Sequence, residues 1–217
     1  MNDNQSISLN PSNPYESSAV SCEPTSRTDF PQLRAITLVT MILAAAATRI
    51  IPHPWNFTAV GAMCLFGGAY FRRSWQAFFV PLAALVISDV VLAATRYDFS
   101  LFGYTSIWVG YGLFALTALI GMLLRGRVSV ARVTLAAIGS SVMFFLVSNF
   151  VAWVEGHGGY SYTPAGLMAC YVAAIPFAKN MFLANLFYSA VLFGGYELLS
   201  MQWPALRQPA LAKVPAR

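Results

Sequence analysis

From residue 33 onward the chain is a succession of apolar runs that approach or exceed the ~20 residues a helix needs to cross the hydrocarbon core of a bilayer. In that solvent every backbone N–H and C=O must be satisfied within the protein, and a helix does so inside one segment. With 58% hydrophobic and only 10% charged residues, the chain does not read as a soluble domain. The pattern predicts an all-α fold, a six-transmembrane-helix bundle with a short amphipathic external helix, in one membrane domain over residues 33–200.

The expected spans are 33–51, 58–71, 75–94, 107–124, 133–154 and 178–200. The second is short and carries Gly61, Gly67 and Gly68, so it is read as a tilted, distorted or re-entrant segment, and its status decides the topology. With both termini cytoplasmic, ten Lys and Arg fall inside and three outside (Arg49, Arg96 and Lys179), in line with the positive-inside rule. The external links are then 52–57, 95–106 and 155–177, which hold both histidines and many aromatics. Residues 165–177 read as a short interfacial helix that Pro176 ends. Binding groups concentrate in loops held by a rigid scaffold, so this one-sided chemistry favours an external ligand.

Residues 1–32 are rich in Ser, Asn and Pro without apolar periodicity and read as a disordered cytoplasmic tail; residues 201–217 read as a basic cytoplasmic tail. No apolar stretch precedes the Ala19-Val20-Ser21-Cys22 tetrapeptide, so a signal peptide is not expected. The net charge of +5 comes from loop arginines and lysines rather than a basic stripe, which argues against nucleic acid as a partner. Three cysteines without CxxC spacing give no disulfide framework.

Against this apolar background Asp89, Asn149 and Asn185 stand out, one in each of three spans, and the span boundaries put all three in the outer half of the membrane. A carboxylate or amide facing lipid costs about 2–4 kcal/mol, so such groups face a bundle interior or a wet cavity. Their convergence would make a substrate pocket. The alternative is structural: Asp89 pairs with an arginine or caps an irregular turn, and the asparagines bridge helices. Pro52-His53-Pro54 stops the first helix and fixes a rigid turn, after which Asn56 or Thr58 is placed to cap the second. His53 and Asn56 are candidate ligand contacts at the mouth, and Trp153 a candidate stacking face; a rigid reversal and an interfacial aromatic anchor are the competing readings. His157 reads as a solvated loop histidine, and Glu197 as a charge at the cytoplasmic end of the last helix.

No HxxxH, HExxH or CxxC puts two metal ligands on one helical face, and no nucleophile elbow or Walker motif is present. The expectation is a protein that is not an enzyme and carries no metal or cofactor.

Several local patterns taken together are similar to an uncharacterised bacterial integral-membrane family. They are Pro52-His53-Pro54-x-Asn56-Phe57-Thr58, Phe66-Gly67-Gly68-Ala69-Tyr70-Phe71, Ser88-Asp89, Phe144-Phe145 through Ser148-Asn149-Phe150 with Trp153, Gly166-Leu167 through Cys170-Tyr171, and Pro176-Phe177. The resemblance covers roughly residues 34–200, implies a bacterial inner-membrane location and carries no established activity. More remotely, six helices, small size and an outward site resemble the substrate-binding S components of energy-coupling-factor vitamin transporters. That resemblance implies capture of a vitamin or similar small solute, with a transmembrane coupling protein and ATPase subunits as partners beside the lipid bilayer. A proton-coupled secondary carrier with Asp89 as relay, or a non-transporting membrane assembly protein, are the alternatives.

Overall fold

A computed structural model describes residues 31–95 and 106–207; the expected tail over 1–30, most of the 95–106 link and the last ten residues lie outside it. The described residues form six α-helices and short 3-10 turns, with no strand among them: α1 (Pro31–Ala47), α2 (Val60–Tyr70), α3 (Ser74–Thr95), α4 (Ser106–Met122), α5 (Val130–Val154) and α6 (Pro164–Gln202).

Four segments are long and apolar enough to cross a membrane: Gln32–Ile50, Ser74–Thr95, Val130–Val154 and Pro164–Gln202. Helices α2 and α4, with 11 and 17 residues, are shorter. At 1.5 Å rise per residue α2 is only about 17 Å long, roughly half the hydrocarbon thickness. It is the core of the bundle. Ten of its residues are buried, and it touches each of the other five helices. A helix apolar on every side is either lipid-facing or wholly enclosed, and here its glycines decide for enclosure. A methyl group on Gly68 would lie 2.2 Å from the Ala118 carbonyl oxygen, and one on Gly121 would lie 2.4 Å from that of Leu65. Each glycine therefore admits the other helix's backbone, and α2 and α4 cross at van der Waals distance.

Hydrogen bonds fix the direction of each helix. At one end Arg34 of α1 donates to Tyr196 of α6 and to the carbonyl of Tyr70 at the close of α2, while Arg125, just after α4, donates to the carbonyl of Gly68 and to Ser74 at the start of α3. At the other end Arg49, just after α1, meets Ser88 and Asp89 late in α3, and Tyr111 early in α4 reaches the same Asp89. The chain thus runs up and down alternately. Helices α5 and α6 form an antiparallel hairpin, tied by Tyr171 to the Leu146 carbonyl and by Asn185 to that of Ala137.

Two expectations are corrected. The separate amphipathic external helix does not exist: residues 164–177 are the first third of α6, which runs unbroken for 39 residues through Pro176. Proline removes one helical hydrogen bond, whereas ending the helix would strand several carbonyls and N–H groups at once, so in an apolar setting continuation is the cheaper outcome. Nor do Asn56 and Thr58 cap α2; its N-cap is Ala59, without a side-chain bond. Beyond residue 200 the chain stays docked through a turn at Pro204–Leu206, where the fully buried Leu206 offers its carbonyl to the Tyr196 hydroxyl.

Candidate functional site

A cavity of about 350 Å³ opens at the end of the bundle that holds the 51–59 loop and the α5–α6 turn. Its lining comes from the α1–α2 connection (Arg49, Asn56, Thr58), α2 (Gly61), α3 (Leu85), α4 (Phe114, Thr117), α5 (Ser140, Ser141, Phe144, Phe145, Ser148, Asn149) and α6 (Phe177, Met181, Asn185). The walls therefore combine aromatic rings with amides, hydroxyls and one guanidinium.

Asn185 sits at the floor, 5% exposed. Its amide nitrogen donates to the Ala137 carbonyl at 2.9 Å and reaches the Ser140 and Ser141 hydroxyl oxygens at 3.2 and 3.0 Å. Those hydroxyls in turn donate to the same Ala137 carbonyl. Asn185 Oδ1 has no hydrogen-bond partner among the described residues. A methyl group on Gly61 would lie 2.9 Å from that oxygen, so the missing side chain of Gly61 is what admits the Asn185 amide against α2.

Asn149 also lines the cavity, but its side chain donates to the Phe145 carbonyl of its own helix, and its backbone carbonyl lies level with Cys170. Asn185 lies level with Ser140 instead. Eight or nine residues of α5 separate the two levels, about 13 Å along the helix. The two amides therefore mark the upper wall and the floor of one chamber rather than a single depth. The offset arises because α6 begins at Pro164, well before the start assumed for the last span.

Asp89 is placed differently from the other two. It is 5% exposed and is not part of the cavity lining. Its Oδ1 lies 2.7 Å from Arg49 Nη2, and its Oδ2 accepts the Tyr111 hydroxyl at 2.6 Å. Arg49 Nη1 donates to the Ser88 hydroxyl oxygen and to the Leu85 carbonyl. The carboxylate is thus a buried anchor, and the residue it presents to the cavity is Arg49. The remaining donor of that guanidinium, Nε, is buried without a partner among the described residues. The sequence signal for Arg49 was a cation closing one apolar run opposite an acid inside another; Tyr111 and the serine pair carried none.

Asn56 stands at the cavity mouth with φ of 60°, the left-handed region that asparagine tolerates better than most side chains. His53 is exposed, outside the lining, and among the described residues its side chain bonds to the carbonyl of Pro54. Trp153 is also outside it. Its indole N–H donates to the Ser161 carbonyl and its ring meets Phe150 and Tyr162, which closes the α5–α6 turn.

At the opposite end, Tyr70 donates to Glu197 at 2.6 Å, and a second hollow of about 360 Å³ is bordered by Tyr70, Tyr196, Glu197 and Arg207. Among the described residues no cluster of His, Cys, Asp and Glu is arranged to hold a metal ion.

Fold and site together define a polytopic helical protein of membrane type, built around one enclosed short helix with a polar cavity at one end. The chain belongs to a family of unknown function, DUF6580, whose profile matches residues 30–206. No curated protein and no solved structure matches it.

Proposed function

We propose that this protein is a membrane substrate-binding or transport subunit that captures a small organic solute in the cavity lined by Asn56, Asn149 and Asn185. All six helices cross or enter the bilayer, with both termini cytoplasmic, because the arginine-rich links 72–73 and 125–132 lie at the end away from the cavity. The cavity then faces outward from the bacterial inner membrane. The reading rests above all on the buried, unpartnered oxygen of Asn185 at the floor of a chamber large enough for a small molecule. Binding followed by alternating exposure is the mechanism, with no covalent step. A transmembrane coupling protein with ATPase subunits is the partner that would drive it.

The test is native mass spectrometry of the full-length protein after gentle extraction, wild type beside Ala178→Trp, which fills the cavity from its α6 wall without removing a hydrogen bond. A small molecule retained by the wild type and lost from the variant supports solute capture. Equal retention by both, or none by either, refutes it.

One observation favours a second reading. Asp89 is fully engaged by Arg49 and Tyr111, as expected of a residue that only joins helices in a non-transporting assembly protein. The same engagement counts against the proton-coupled carrier, whose relay carboxylate would need access to the cavity.

A further inference from the structure

The geometry points to a solute that is neutral overall and carries at least one N–H or O–H donor on a planar, apolar frame; this rests on the solute-capture reading and narrows its substrate class. The argument starts from charge. Among the described residues Arg49 is the one charged residue in the lining, and its charge is balanced at 2.7 Å by Asp89, whose other oxygen accepts the Tyr111 hydroxyl. An anionic solute would set a second negative charge against a guanidinium that is already paired. A cationic one would face that guanidinium with only amide and hydroxyl oxygens in compensation. Either leaves a charge unbalanced in a chamber whose other polar groups are neutral, and such burial is strongly unfavourable.

Hydrogen-bonding capacity then sets the polarity. The hydroxyls of Thr117, Ser140 and Ser141 all donate to backbone carbonyls of their own helices, so what they offer inward is acceptor lone pairs, one on each serine being taken by the Asn185 amide nitrogen. Deepest in the chamber, Asn185 Oδ1 adds an acceptor and Arg49 Nε a donor, each without a hydrogen-bond partner among the described residues, while Asn56, Thr58, Ser148 and Asn149 line its upper part. The floor of the chamber is therefore acceptor-rich, and a molecule that reaches it must bring donors. Phe114 and Phe144, with ring centroids 4.9 Å apart, together with Phe145 and Phe177, supply flat apolar walls. An amide, lactam or imide on a ring meets all three requirements.

Four ring compounds of similar size separate these requirements: benzamide, methyl benzoate, benzoate and benzylammonium. Their binding to full-length protein in lipid nanodiscs is read by calorimetry and by the rise in melting temperature. Benzamide is expected to bind roughly tenfold or more tightly than each of the others, since methyl benzoate lacks the donor and the two ions carry an unbalanced charge. Asn149→Asp, at a residue whose side chain among the described residues bonds to its own helix, places a negative charge in the upper wall and is expected to transfer the preference to benzylammonium. Tighter binding of benzoate or benzylammonium by the wild type, or parity of methyl benzoate with benzamide, overturns the inferred class while solute capture stands. An unchanged preference in Asn149→Asp overturns the assignment of the chamber as the place where the probes bind. Absence of binding by all four overturns the inferred class, and solute capture is then judged separately by the retention experiment.

Discussion

Replacing Asp89 by asparagine keeps the shape of the side chain and an oxygen for the Tyr111 hydroxyl, but removes the charge that balances Arg49. The two side chains are 7% and 11% exposed and their nearest atoms are 2.7 Å apart. At a charge separation of ~4 Å and an effective dielectric of ~20, the lost attraction is about 4 kcal/mol. Removing one partner of a buried pair typically destabilises by about 3–5 kcal/mol, because the survivor is left uncompensated. Arg49 keeps the Ser88 hydroxyl and the Leu85 carbonyl as acceptors, which places the expected loss near the lower end, about 3 kcal/mol. Arg49→Met combined with Asp89→Leu removes both charges. That double variant is expected within about 1–2 kcal/mol of wild type, the residual being the Tyr111 hydroxyl left without its acceptor. Reversible unfolding in mixed detergent micelles, followed by tryptophan fluorescence, measures both. A loss below about 1 kcal/mol for Asp89→Asn, or a double variant as unstable as the single one, would refute the view that this pair locks α3 to the end of α1.

Two further outcomes follow from the packing and the topology. Gly68→Ala drives a methyl group against the Ala118 carbonyl and is expected to destabilise by about 1–3 kcal/mol, whereas Gly112→Ala in the same bundle meets open space and is expected to be neutral or slightly stabilising; the same unfolding assay compares them. In cells, a cysteine placed at exposed His53 is expected to react with a membrane-impermeant maleimide from outside, and one at exposed Arg127 only after permeabilisation. The reverse pattern would invert the orientation.

The helical class was legible in the apolar runs because a bilayer leaves the backbone few other ways to satisfy itself. The polar residues were legible as exceptions for the same reason. What Asp89 does was not. An acid inside an apolar run must find a partner, but whether that partner is Arg49 or a bound ligand depends on how α1, α3 and α4 come together in space. His53 and Trp153 showed the opposite limit: residue types suited to binding, placed by the fold outside the cavity.

The sequence by itself determined the sort of structure this is: helices rather than sheets, short basic links, and a few polar groups that could not be left facing lipid. Only the tertiary structure decided that the shortest apolar run is the centre of the bundle, that α6 continues through Pro176, and that Arg49 rather than Asp89 borders the chamber. The physical reason is that hydropathy measures how unwelcome water is to a segment, and a lipid tail and a neighbouring helix answer that demand equally well. The choice between them is made by close contacts, such as those of Gly68 and Gly121, and by the pairing of polar groups far apart in the chain.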